Sequence, residues 1–158
     1  MALILIVDAE EVIRDLLTRA LAPDGHVCHT ATNGREAVER VQQAEYDLII
    51  SDVRMPEVDG IQFLGAVRSR IEHTTPCVLL TGFSDVSYAI RAIQAGAFDY
   101  LRKPWELQEL RIAVNRALQR RADLRLRREY QADLERRVEE AVAQLKRAYD
   151  GTVVGFAA

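Results

Sequence analysis

The sequence predicts an α/β protein: an open, doubly wound parallel sheet of five strands, continued by one long C-terminal helix that forms a coiled coil. Two observations carry this. Up to about Pro104, short apolar β-branched runs alternate with amphipathic stretches of helical period. From Trp105 to Asp150 there is neither glycine nor proline, and apolar residues recur at alternating steps of three and four.

The elements follow in order. "LILIV" (3–7) reads as a strand, and "EEVIRDLLTRALA" (10–22) as a helix with Val12, Ile13, Leu16, Leu17 and Ala20 on one stripe. "PDG" (23–25) breaks that helix. "HVCHTA" (26–31) is a second strand and "GREAVERVQQA" (34–44) a helix. "YDLIISD" (46–52) is apolar almost throughout, as a strand buried on both faces should be. "MPEVDG" is a loop shaped by Asp59 and Gly60, the glycine supplying backbone freedom. "GIQFLGAVRSRI" (60–71) is a helix, "PCVLLT" (76–81) a strand, "SDVSYAIRAIQAGA" (84–97) a helix ending near Gly96, and "FDYLRK" (98–103) the fifth strand.

Composition bounds the function. The chain has 158 residues, 49% of them apolar, and a formal net charge of −3. That balance argues against a nucleic-acid clamp. Cys28 and Cys77 each lie in an apolar run with no partner at metal-ligand spacing, and read as buried free thiols of a reducing cytosol. His26, His29 and His73 are scattered and read as surface or strand residues, not ligands. The apolar start is too short and too acidic for a signal peptide, and no apolar run reaches membrane-spanning length. The expected protein is soluble and cytoplasmic, with no membrane and no direct nucleic-acid partner.

In doubly wound sheets the working site lies at the carboxyl ends of the strands. Asp8 ends the first strand, Asp52 the third, Thr81 the fourth and Lys103 the fifth. An aspartate can take a phosphoryl group as a covalent acyl phosphate. The transfer needs cationic charge, which Mg²⁺ supplies through oxygen ligands. Asp52 is the candidate acceptor and Asp8 is placed to help hold the ion. Lys103 offers a fixed positive charge and Thr81 a hydroxyl to the phosphoryl oxygens. A cis Lys103–Pro104 peptide would aim the lysine into the pocket, but sequence leaves the isomer open.

"ILIVDAEEVIRDLL", "DLIISDVRMPEVDGIQFL" and "VLLTGFSDVSYAIRAIQAGAFDYLRKPW" together resemble the receiver domain of two-component response regulators, a flavodoxin-like fold. The resemblance covers about residues 1–120. It implies that Asp52 is phosphorylated by a histidine kinase and that the backbone carbonyl of Arg54 joins Asp8 and Asp52 as a metal ligand. It makes Thr81 and Tyr100 a switch pair, altering the face of the fourth helix, fifth strand and fifth helix. Arg54 and Phe83 flank the pocket and, by the same resemblance, tune phosphoryl lifetime. Such a chain is a phosphoacceptor rather than an enzyme in its own right.

Ala9 departs from the pattern. The family usually ends its first strand in two adjacent acids, the second a direct metal ligand; here "DAE" stands instead. Asp8, Asp52 and Lys103 sum to −1 where −2 would be usual, so a divalent ion should bind more weakly. Three readings are open: a working but metal-weakened site, a degenerate receiver acting as a phosphate-independent dimeric scaffold, or a site held in one state. The retained Asp52, Thr81, Tyr100 and Lys103 favour the first.

Two enzyme and cofactor classes fit less well. A phosphohydrolase of the aspartyl-phosphate type usually carries an acid two residues after its nucleophile, where this chain has Arg54. A flavin protein of this topology needs a phosphate-cradling loop after the first strand, where "DAEEVI" is acidic.

The helix that follows Trp105, with Trp105 packing at its start, would run about 65 Å at 1.5 Å per residue; residues 1–120 form the receiver domain and residues 121–158 the coiled-coil linker. The helix's seam takes Leu110, Ala113, Ala117, Leu124, Leu134, Val138, Ala141 and Leu145, with Arg120, Arg127 and Gln131 in the same register. Basic residues around Arg120–Arg128 read as a solvated face. The simplest partner for the stripe is a second copy, giving a homodimer. "LERRVEEAVAQLKRAYDGTVVGFAA" resembles a linker to a C-terminal output domain, most closely the entry to HD-GYP-type cyclic-di-GMP phosphodiesterases, and the apolar end suggests a fragment lacking that domain.

Overall fold

The structure, a computed structural model, describes residues 1–55, 59–68, 74–82 and 86–157, with the backbone alone for 86, 88, 89 and 152–157. The strands are β1 (Leu3–Val7), β2 (Val27–Ala31), β3 (Leu48–Asp52), β4 (Cys77–Thr81) and β5 (Asp99–Arg102). The helices are α1 (Glu11–Leu21), α2 (Gly34–Gln43), α3 (Gly60–Val67), α4 (Val86–Gln94) and α5 (Leu107–Ala157), with one 3-10 turn at Ala22–Asp24. Among the described residues the strands form one five-stranded sheet in the order β2-β1-β3-β4-β5, every pair parallel.

Alternation along each strand divides the core into two layers. Ile4, Ile6, Leu48, Ile50, Val78 and Leu80 face one side, where Leu17 and Leu21 of α1 and Leu110, Val114 and Ala117 of α5 cover them. Leu5, Val7, Ile49, Val53 and Leu79 face the other, under Ala37 and Val41 of α2, Phe63, Leu64 and Val67 of α3, and Ala92 of α4. Helices on both faces explain why β1 is apolar throughout and β3 and β4 are apolar up to the polar residues at their carboxyl ends.

Several expectations shift. The α1 stripe is narrower than its periodicity suggests: Leu17 is fully buried, but Val12 and Leu16 are 74% and 52% exposed. β2 is an edge strand whose Val27 stays exposed, and His26 lies before it rather than in it. Cys28 is half-buried and Cys77 buried, and burial pushes the Cys77 thiol up to about 12. Trp105 is partly buried against the α1/α5 layer. Residues 69–71 of the expected third helix, 84–85 of the fourth, the loop at 56–58, Phe83 and His73 lie outside the described residues.

The chain divides into two units, Met1–Ala122 and Asp123–Ala158. Leu110, Ala113 and Ala117, expected at the start of a coiled-coil seam, are buried in the first unit's core and are therefore not open to a partner. In the second unit the exposed large apolar residues are Leu126, Tyr130, Leu134, Val138, Val142, Leu145 and Tyr149. Four-residue steps dominate this stripe, so it follows the 3.6-residue turn of the helix more than a strict heptad. Asp133 pairs with Arg136 and Arg137, and Gln131 donates to Glu135, as i,i+3 and i,i+4 contacts.

Candidate functional site

The site forms where β1 and β3 end beside the segment after β5. Asp8 follows Val7 directly, and its N–H donates to the Ala31 carbonyl of the neighbouring strand at 3.1 Å. Its side chain is fully buried; Oδ1 accepts the Glu10 N–H at 2.9 Å, and the Arg14 guanidinium donates to its carbonyl at 2.7 Å. Asp52 is the last residue of β3, with the adjacent Val53 N–H bonded to the Leu80 carbonyl of β4 at 3.0 Å. The Arg54 N–H donates to Asp52 Oδ1 at 3.3 Å.

Lys103 joins the two acids. Its Nζ lies 3.2 Å from Asp52 Oδ2 and 3.4 Å from Asp8 Oδ2. The Lys103 N–H donates to the Thr81 carbonyl at 2.7 Å, which carries β4–β5 pairing one residue past the strand. The Lys103–Pro104 peptide is cis.

One ammonium shared by two carboxylates leaves the cluster at −1. Burial pushes the Asp52 carboxyl above its ordinary value and the Asp8 charge adds to it, while Lys103 and the Arg54 N–H oppose without prevailing. Burial alone would lower the Lys103 ammonium, but the two carboxylates outweigh it and hold the group above its ordinary value.

Among the described residues no group of three or more His, Cys, Asp or Glu side chains is poised to hold a metal. Two carboxylates remain, Asp8 and Asp52; the next residue in the chain after Asp8, Ala9, is exposed and carries none. Mg²⁺ is commonly held by one or two carboxylates with water completing its shell. The excess negative charge of the two carboxylates over Lys103 fits such an ion, in a site with few protein ligands.

The remaining candidates are distributed unevenly. Thr81, at the end of β4, is 1% exposed. Tyr100 lies on β5 opposite Leu79 with its ring 42% exposed, so it is not in the pocket. Arg54 is exposed. Gly60 has a role that sequence misassigned. Its φ is not in the left-handed region; instead a Cβ there would sit 2.6 Å from the Asp52 carbonyl oxygen and 2.9 Å from Val53 Cα. Glycine lets α3 start directly against the end of β3, where Asp59 and Gln62 form a capping box. Beside the acids, Ile13, Leu16, Gly82, Lys103, Pro104 and Trp105 line an apolar cavity of about 340 Å³.

Arg121 was hidden among the basic residues expected to be solvated. It is 4% exposed, and its guanidinium donates to Asp47, Thr74, Thr75 and Glu45. The signal was the spacing Leu110, Val114, Ala117, Arg121, which places it on the buried stripe of α5.

Comparison with known proteins gives this arrangement a family. The sequence profile of the response regulator receiver domain matches residues 4–115. Regulatory protein AtoC of Escherichia coli (strain K12) is 45% identical over 116 residues, 73% of this chain and 25% of AtoC. DNA-binding transcriptional regulator NtrC of the same organism is 40% identical over 113 residues, 72% of this chain and 24% of NtrC. The chain thus spans about a quarter of the length of these curated relatives. A crystal structure of a response regulator receiver domain protein from Clostridium thermocellum superposes with a TM-score of 0.73 at 33% identity, covering 78% of this chain and 99% of that one. These relatives give no support to the HD-GYP resemblance read from the C-terminal segment; the curated ones are regulators of the AtoC and NtrC type. The chain belongs to the response regulator receiver domain family.

Proposed function

We propose that Asp52 is the phosphoacceptor of a phosphorylation-dependent switch, with a histidine kinase as donor. The observation that carries this reading is the convergence of Asp8, Asp52 and Lys103, with one ammonium 3.2 Å and 3.4 Å from the two carboxylates. An Asp52 carboxylate oxygen attacks the donor phosphorus, and the P–N bond of the phosphohistidine breaks with its electrons returning to the imidazole. Lys103 then exchanges part of its bonding from Asp52 to a phosphoryl oxygen, and the Thr81 hydroxyl donates to another. Asp8, Asp52 and the Arg54 carbonyl would hold Mg²⁺, which supplies charge neutralisation when bound; Ala9 weakens its affinity. The apolar cavity beside Lys103, continued by exposed Leu16 and Val12 of α1, suits an apolar helical face of the kinase.

The switch is a population shift. A phosphoryl group adds about −1.5 to −2 charge and three acceptor oxygens. The bonds from Lys103 and Thr81 exist only in that state, and their differential energy moves the equilibrium. Tyr100, exposed in this structure, turns inward behind Thr81 and changes the α4–β5–α5 face. A parallel pairing of two α5 helices through the Leu126–Tyr149 stripe carries the change toward an output element, as expected for a chain similar to part of longer regulators.

Intact-mass measurement after incubation with acetyl phosphate across a Mg²⁺ titration tests the reading. One phosphoryl adduct is expected in the native chain and none in Asp52→Asn. No adduct at saturating Mg²⁺ leaves the phosphate-independent scaffold as the better account.

A further inference from the structure

The buried stripe of α5 ends in a charge. Leu110, Val114 and Ala117 pack on the sheet with less than 2% exposure each, and the next residue on the stripe is Arg121. Its Nε donates to Asp47 Oδ1 at 3.0 Å and its Nη2 to Glu45 Oε1 at 3.1 Å. Its Nη1 reaches Thr74 Oγ1 at 3.1 Å and Thr75 Oγ1 at 2.7 Å. The acceptors belong to the segments entering β3 and β4, at the sheet edge opposite Asp52. Asp47 also accepts the Leu3 N–H at 2.8 Å, which ties the start of β1 into the same cluster.

Apolar contacts are non-directional and let a helix slide or turn with little penalty. A planar guanidinium with its donors fixed in a fork does not. Turning α5 by one residue, about 100°, would break all four contacts at once. A buried ion cluster of this kind adds little net stability over an apolar substitute, but it selects one arrangement. Leu107 and Arg121 are separated by about 21 Å of helix. The first follows the Lys103–Trp105 segment beside the phosphoacceptor; the second is bound at the far edge.

We infer that Arg121 is the positioning residue of the relay: it pins α5 to the amino ends of β1, β3 and β4, so that displacement at the Lys103 end tilts the helix about this point instead of dissipating by sliding or by rotation about its own axis. The inference rests on the proposed relay through paired α5 helices.

The test uses the full chain carrying Glu139→Cys with a spin label, in a Cys28→Ser background. Label-to-label distance across the dimer is measured with and without acetyl phosphate and Mg²⁺, and the phosphorylated fraction is read by mass. With Arg121 present the distance distribution shifts on phosphorylation. In Arg121→Met, and in Arg121→Lys, which keeps the charge and so guards against a folding failure, the phosphorylated fraction is unchanged and the shift is lost. An equal shift in the folded variants overturns the role of Arg121. No dipolar signal, or no shift with Arg121 present, overturns the relay itself and the positioning role with it.

Discussion

Ala9 stands where the sequence resemblance leads one to expect a second acid, and its effect should be measurable in isolation. Ala9→Asp restores a carboxylate beside Asp8 and is expected to tighten Mg²⁺ about tenfold, or ~1.4 kcal/mol, as read by quenching of Trp105 fluorescence. An unchanged affinity would mean that position 9 does not face the ion. Asp52 gives a pH signature. Its folded carboxyl titrates above the ordinary 3.8, chiefly through burial, so in that window the folded state binds more protons than the unfolded one. Its stabilising contribution is therefore complete below 3.8 and lost as pH rises through the folded value. Asp52→Asn should raise the neutral-pH melting temperature by a few degrees, the gain shrinking on acidification. Gly60→Ala forces a Cβ against the Asp52 carbonyl and should cost about 1–3 kcal/mol in denaturant unfolding while slowing phosphorylation.

At the scale of elements, the sheet was legible because both of its faces are covered, so that β1, β3 and β4 announce themselves as largely apolar runs. The strand-end rule brings Asp8, Asp52 and Lys103 to one edge of the sheet, and their side chains meet there. What sequence could not supply was the environment of each helix face. Val12 and Leu16 share the period of Leu17, yet α1 turns both outward, Leu16 into the lining of the Lys103 cavity. Leu110, Ala113 and Ala117 have the spacing of a seam and serve as core instead, because periodicity does not say which partner a stripe meets. Gly60 was legible as necessary, though for a close approach rather than for a left-handed turn. Arg121 was read by its charge, as solvated, when its place on the stripe was the better guide. Arg121→Met leaves Asp47 without its counter-charge, holding only the Leu3 N–H, and should destabilise the chain by about 1–3 kcal/mol, less than a fully buried pair because Asp47 and Glu45 remain 32% and 60% exposed. Chemical denaturation checks this.

The whole molecule combines a compact sheet unit with a helix whose apolar residues are exposed over Leu126–Tyr149. Light scattering at tens of micromolar should give a dimer, and Leu134→Lys with Val138→Lys should give a monomer that still accepts phosphate. A native monomer would contradict the paired helix while leaving the Asp52 chemistry intact. That chemistry is the centre of the account, and it can be located directly. Borohydride converts an acyl-phosphorylated aspartate to homoserine, which peptide sequencing then places along the chain. After treatment of the full chain with acetyl phosphate and Mg²⁺, homoserine should appear at position 52 and at no other aspartate. Homoserine elsewhere, or none at any position at saturating Mg²⁺, would contradict the assignment of Asp52 as the acceptor.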